Sequence, residues 1–182
     1  CATRNSIGDG VYQQKLNPQE QMDEMIEILR PAVDAGLVIG SHQGNHCGRI
    51  QKDTGVDVMK IICKVLKIPY LGSACWNLLK VGMQNYTIYS LHGASGSRYF
   101  YTKLKSLSDI AHNFRADVLA MGHTHELAVE AITEQYVDLR SGTVKEKKKY
   151  LVLTGSYLKY DDTYAQAHGY PMGKTGSPTI KL

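Results

Sequence analysis

Hydrophobic positions along this chain recur with two different periods. In LNPQEQMDEMIEILRPAVDAG, residues 16–36, Met22, Met25, Ile26 and Leu29 fall at the three- and four-residue spacing of one helix face. Asn17 stands where an N-cap would, Pro18 occupies the first helical position and Glu20 the first turn. Pro31 ends or kinks this helix. DVMKIICKVLKI (57–68) predicts a second helix stopped by Pro69, and TKLKSLSDIAHNF (102–114) a third. Between them, LVIG (37–40), NYTIYSL (85–91) and ADVLAM (116–121) read as strands running into loops. LAVEAITEQYVDL (127–139) and TVKEKKKYLVLTGSYLKY (143–160), rich in Val, Tyr and Thr, predict hairpin strands. Helices alternating with strands, followed by hairpins, predict a layered α/β sandwich.

Composition narrows the class. A chain of 182 residues suits one domain, 1–182, with a useful core. Hydrophobic residues at 43% and charged residues at 21% belong to a globular chain, not a disordered one. No apolar run approaches the roughly 18 residues a membrane span needs, so no membrane partner is expected. The opening CATRNSIGDG is too polar for a signal peptide and has no initiator Met, so a chain processed, trimmed or incomplete at its N-terminus is expected. The four cysteines, Cys1, Cys47, Cys63 and Cys75, have no CxxC spacing; reduced thiols and a cytoplasmic setting are expected. Cys63 falls in an apolar helical pattern and reads as a small core residue. The net charge of +4 is mild. Its one dense run, KEKKK at 145–149, reads as a solvated hairpin tip, with contact to a phosphate backbone as the sharper alternative.

The chemistry sits where the strands end. One predicted strand runs into Gly44-Asn45-His46, one into His92-Gly93, and one into Gly122-His123-Thr124-His125. Open α/β sheets bind ligands outside the carboxyl ends of their strands, on loops carried by a rigid base. Imidazole nitrogens and a carboxamide oxygen are ligands for Zn, Mn, Fe or Co class ions. In an extended H-x-H both side chains fall on one face, from which they reach two neighbouring ions or grip one.

The ordered set GNH, HG and GHTH resembles the calcineurin-like metallophosphoesterases. YAQAHGYPMGKTGSPTIKL, after LTGSYLKY, is similar to the end of phage and prophage members of that family. The resemblance implies an α/β/β/α sandwich and a pair of divalent ions. Asn45, His92 and His123 would bind one ion and His125 the other. His46 would sit over the scissile phosphate as the catalytic residue. The ions would clamp the phosphate and activate a water for in-line attack, on a phosphomonoester or phosphodiester, with nucleotides or nucleic acid favoured by the phage-like likeness. Arg49, three residues after His46, is a candidate for the substrate phosphate, with a surface ion pair as the alternative.

Two departures from the family pattern stand out. Cys47 replaces the usual acidic residue after GNH. The family's D-x-H is absent, and Gly8-Asp9 is a formal candidate for its second block that lacks a preceding buried strand. TRNSIGDGVYQQ reads better as the polar loop after that block, with earlier strands lying before Cys1 and the fragment itself slow or inactive. A cysteine phosphatase fails on spacing: position 53, where its loop arginine belongs, is Asp. A non-catalytic metal-binding module is the remaining rival, although structural zinc sites are usually cysteine-rich and closed.

Overall fold

The structure, a computed structural model, describes residues 15–94, 97–161 and 163–181. Gly8, Asp9 and Cys1 lie outside the described residues. The chain divides into two compact units, Cys1–Ala74 and Cys75–Leu182.

The first unit is helical. Helix α1 spans Pro18–Asp34. Asn17 Oδ1 accepts from the Glu20 amide, and the Glu20 carboxylate accepts from the Asn17 amide, at 3.0 and 2.7 Å. This reciprocal box satisfies two amides that no helical turn can satisfy. Helix α2, Asn45–Thr54, was not anticipated from its sequence. Its N-cap Gly44 offers no side-chain acceptor, only Ile50 of it is buried, and Gly48 lies inside it. Gly55, left-handed at φ 75°, closes it and is the one signal the sequence held. Helix α3, Val58–Leu66, is capped by Asp57 and ends at the left-handed Lys67, before Pro69. Ile50, Val58, Ile62 and Leu66 form the core, with Met22, Ile26, Leu29, Val33, Met59 and Ile68 packed on it. Cys63 is buried beside them, and burial, then the charge of Asp57, pushes its thiol pKa up.

Residues 37–40 are not a strand. Their stretch forms a single bridge, Ser41 to Tyr70, and Leu37 and Ile39 stay exposed. An apolar run becomes a strand only where a ladder of partners pairs with it.

The second unit is a five-stranded sheet in the order β1-β2-β3-β5-β4. The strands are β1 Ala74–Val81, β2 Gln84–Leu91, β3 Val118–Met121, β4 Leu127–Asp138 and β5 Thr143–Thr154. Strand β1 was not foreseen: every other side chain of ACWNLLKV is exposed, Trp76 and Leu78 among them. Strand β3 runs parallel to both β2 and β5, and β4 lies antiparallel to β5. A central parallel strand is covered on both faces and reads as an unbroken apolar run, and VLAM is one. Helix α4, Phe100–Ala111, packs Leu107 and Ala111 against Leu119, Met121, Leu151 and Leu153. Each of the leucines and Met121 contributes about 1.5–3 kcal/mol by leaving water. A short helix α5, Tyr164–Ala167, lies in the C-terminal stretch. Mixed α/β architecture, a five-stranded sheet with helices, is thus the fold class.

The basic run 145–149 is not a hairpin tip. It lies inside β5, paired with β4 from Lys145 opposite Tyr136 to Lys149 opposite Ile132. Lys145, Lys147 and Lys149 alternate along one face and pair with Asp138, Asp117 and Glu134. Charges every second residue match the period of the pleat. Asp117, just before β3, also accepts at Oδ2 from both the amide and the hydroxyl of Thr87, each at 2.7 Å. It therefore ties β2 and β5 to the start of β3.

Candidate metal centre

Parallel pairing of β2 with β3 aligns Leu91 with Met121, so the two strands deliver their next residues side by side. The Gly122 amide donates to Leu91 O at 3.1 Å. The rings of His92 and His123 consequently meet edge-on, with centroids 5.1 Å apart and planes at 62°. A glycine permits this approach: a Cβ on Gly93, which sits at φ 76°, would lie 2.4 Å from Met121 Cγ.

The extended H-x-H expected from the sequence is not what forms. His123 and His125 are both left-handed, at φ 64° and 57°. The Thr124 amide donates back to Gly122 O at 2.7 Å, closing a three-residue turn around His123. Side chains do not alternate on such a backbone, so the shared-face argument does not apply. The placement comes from the turn. Non-glycine residues in this region cost on the order of 1–3 kcal/mol each and persist where surrounding contacts over-determine them, often at functional sites.

Three residues around the turn escaped sequence reasoning. Thr124 is buried, and its hydroxyl is the one buried side-chain polar atom without a partner among the described residues. Lys103 on α4 and Glu126 form an ion pair at 2.8 Å, with side chains 8% and 16% exposed. Lys103, Leu107 and Ala111 are the buried residues of α4; a lysine four positions before Leu107 and eight before Ala111, on one helix face, was the signal available. His125 is exposed along part of its surface, yet partial desolvation lowers its pKa, helped by the charges of His123 and Lys103 and opposed by Glu126. The neutral imidazole this favours is the form that ligates metals.

Gly44-Asn45-His46 belongs to the first unit. Asn45 and His46 are the first two residues of α2, both exposed. Docking of residues 41–43 on 69–72 sets the approach. Ser41 N donates to Pro69 O at 3.1 Å, Leu71 N to Ser41 O at 2.9 Å and Gln43 N to Gly72 O at 2.9 Å. Gly40 has no room for a Cβ, which would fall 2.8 Å from Pro69 O. Tyr70 Oη donates to Gln43 Oε1 and Asp57 Oδ2, at 3.1 and 2.9 Å. Its pKa is pushed up to about 12 by burial first and then by the Asp57 hydrogen bond and charge. Arg49, on α2, makes no ion pair among the described residues. Cys47, Cys63 and Cys75 are free thiols.

The structure thus brings His92 to His123, with His125 two residues along the same loop. Among the described residues no three His, Cys, Asp or Glu side chains converge in a way that could hold a metal ion. The donor chemistry of the loop suits a divalent cation; a complete dinuclear cage is not formed by those residues. No helix is long and apolar enough to cross a membrane, among the described residues.

No family model matches the chain, and neither does any curated protein. Among solved structures it is similar to a double mutant of Vps29 from Entamoeba histolytica, at 20% identity and a TM-score of 0.37, over 72% of this chain and 64% of that one. The chain thus spans under two thirds of that structure, and the fold class rests on its own strand order and pairing.

Proposed function

We propose that this chain is a metallophosphoesterase-type domain, with Asn45, His92 and His123 as ligands of one divalent cation, His125 as ligand of a second, and phosphoester hydrolysis as its activity. The observation that carries the reading is the edge-on approach of His92 to His123 at 5.1 Å, at the carboxyl ends of adjacent parallel strands. Imidazoles delivered there stand where α/β sheets bind ligands. A bound cation would supply charge neutralisation for the phosphate and acidify a water. The chain's own residues do the positioning. Asn45 offers a neutral oxygen donor that adds no negative charge near an anionic substrate. His46, in the first turn of α2, is the group assigned to protonate the leaving oxygen. The amides of that turn favour an anion, and Arg49 one turn on is the assigned phosphate contact. The substrate proposed is a phosphodiester of a nucleotide or nucleic acid, in the cytoplasm, with Mn, Fe, Zn or Co as the ion and a second ion beside the first.

One observation favours a second reading, a metal-binding module without turnover: the described residues bring two imidazoles together but do not complete the donor set of a two-metal hydrolytic site. Chelator-competition titration of zinc and manganese, run beside hydrolysis of bis(p-nitrophenyl) phosphate, separates the two. Hydrolysis that requires added metal, is lost in His123→Ala with the metal, and is slowed in His46→Ala with metal retained, supports the enzyme. Tight metal with no hydrolysis supports the module, and no metal binding rejects both.

A further inference from the structure

The GHTH loop holds two left-handed histidines and a buried, unpartnered threonine hydroxyl within four residues. Such a loop keeps its shape only if contacts outside it fix its ends. Its entry is held by the Gly122 amide on Leu91 O, at 3.1 Å. Its exit is Glu126, the residue between His125 and the start of β4. There the Gly155 amide donates to Glu126 O at 2.7 Å, and Lys103 Nζ donates to Glu126 Oε1 at 2.8 Å. The backbone bond comes from the end of β5; the side-chain bond comes from α4, across the sheet face that α4 covers. Lys103 is 7% exposed, in a helix whose other buried residues are Leu107 and Ala111. An ammonium buried among apolar groups is a cost that an apolar residue at the same site would avoid, and replacing such pairs by apolar residues is often neutral or stabilising. Stability alone therefore gives little reason for the pair, whereas fixing one loop conformation does.

We propose that Lys103 and Glu126 are a positioning pair that holds the His123–Thr124–His125 turn in its ligand-presenting shape, by clamping the loop's exit to α4. The metal part of this statement rests on the function proposed above; the conformational part does not. Neither residue is assigned as a ligand of ion or substrate. It acts through the backbone of residues 123–126.

The test uses the whole chain and the double variant K103M/E126M, with two readouts. Zinc affinity is measured by chelator competition, and exchange protection is measured at the Thr124 and Gly155 amides. The double variant should melt within a few degrees of the parent, as apolar replacements of buried pairs do. It should bind zinc about 10–100-fold more weakly, the usual loss when a partner outside the ligand set is removed, and the Thr124 amide should exchange at least about tenfold faster. Parent-like affinity together with parent-like protection, in a folded double variant, overturns the proposal. If the double variant does not fold, K103R, which keeps a cationic donor for Glu126, is set against K103M. Protection at Thr124 retained in K103R and lost in K103M supports the clamp; equal protection in both overturns it. If the parent binds no zinc, the metal reading fails by itself, and amide exchange alone decides the positioning claim.

Discussion

The two units hold their candidate residues by different physics. In the first, Asn45 and His46 ride on the opening turn of a regular helix, α2, whose backbone is relaxed. In the second, His123 and His125 sit on a left-handed turn between two strands, fixed by a parallel ladder on one side and a buried ion pair on the other. Local contacts set the helix ends of the first: the Asn17–Glu20 box, the Asp57 cap, the Gly55 and Lys67 left-handed stops, with the docking of 41–43 on 69–72 as its long-range tie. Pairings over long sequence separations dominate the second, as in Asp117 with Thr87 or Lys103 with Glu126. A helix can present a side chain cheaply but only along its own axis. A strained turn can aim two imidazoles, provided distant residues hold it.

The largest expected effect tests whether the sheet unit is the more tightly packed. Leu119 in β3 is completely buried between β2 and β5. Leu119→Ala should lose about 2–5 kcal/mol, the range for a core leucine whose cavity cannot collapse. Leu29 on α1 is only partly buried, and no residue of α1 is fully buried, so Leu29→Ala should lose clearly less. Denaturant unfolding of both variants measures the gap, and equal losses would break the contrast.

What was legible in the sequence follows the same division. The helix α1 was readable down to its capping residues because its signals lie within four positions of one another. Strands β2, β3, β4 and β5 were readable because ladder partners exist for each. LVIG carried the same apolar signal and failed, since only Tyr70 pairs with that stretch. The GHTH residues were readable as chemistry, but not their backbone: left-handed histidines are unfavourable alone, and the Lys103–Glu126 contact that accompanies them spans 23 positions. The lysines of 145–149 were misplaced at a hairpin tip for the same reason, because their acidic partners lie on β4 and before β3.

A smaller effect probes one long-range tie directly. Burial of the Asp117 carboxyl raises its pKa, but the hydrogen bonds from Lys147 and Thr87 and the Lys147 charge outweigh that, leaving it lowered overall. A carboxyl lowered on folding adds stability that is complete above its unfolded value, about 3.9, and is lost as pH falls through the folded value beneath it. Asp117→Asn should therefore lose about 1–3 kcal/mol at pH 7, as hydrogen bonds to a charged partner do. The difference from the parent should shrink below about pH 4, the unfolded carboxyl's range. A gap that stays constant down to pH 2.5 would mean the carboxylate's charge is not what joins β2, β3 and β5.

The smallest effect returns to the helical unit and asks whether its local signals carry weight. Asn17 Oδ1 takes the Glu20 amide, and the Glu20 carboxylate returns the bond to the Asn17 amide. Asn17→Ala removes the first bond and leaves the second without its partner in the box, and N-cap losses of this kind run at about 1 kcal/mol. Asn17→Asp restores an acceptor and adds a charge that suits the positive end of the helix, so it should match or slightly exceed the parent. Helix α1 packs on α3 through half-buried side chains, so the loss should appear first as faster amide exchange in the opening turn of α1. Loss of protection spread evenly through α1 and α3 would contradict that, and would mean the cap supports the helical unit as a whole instead of one turn.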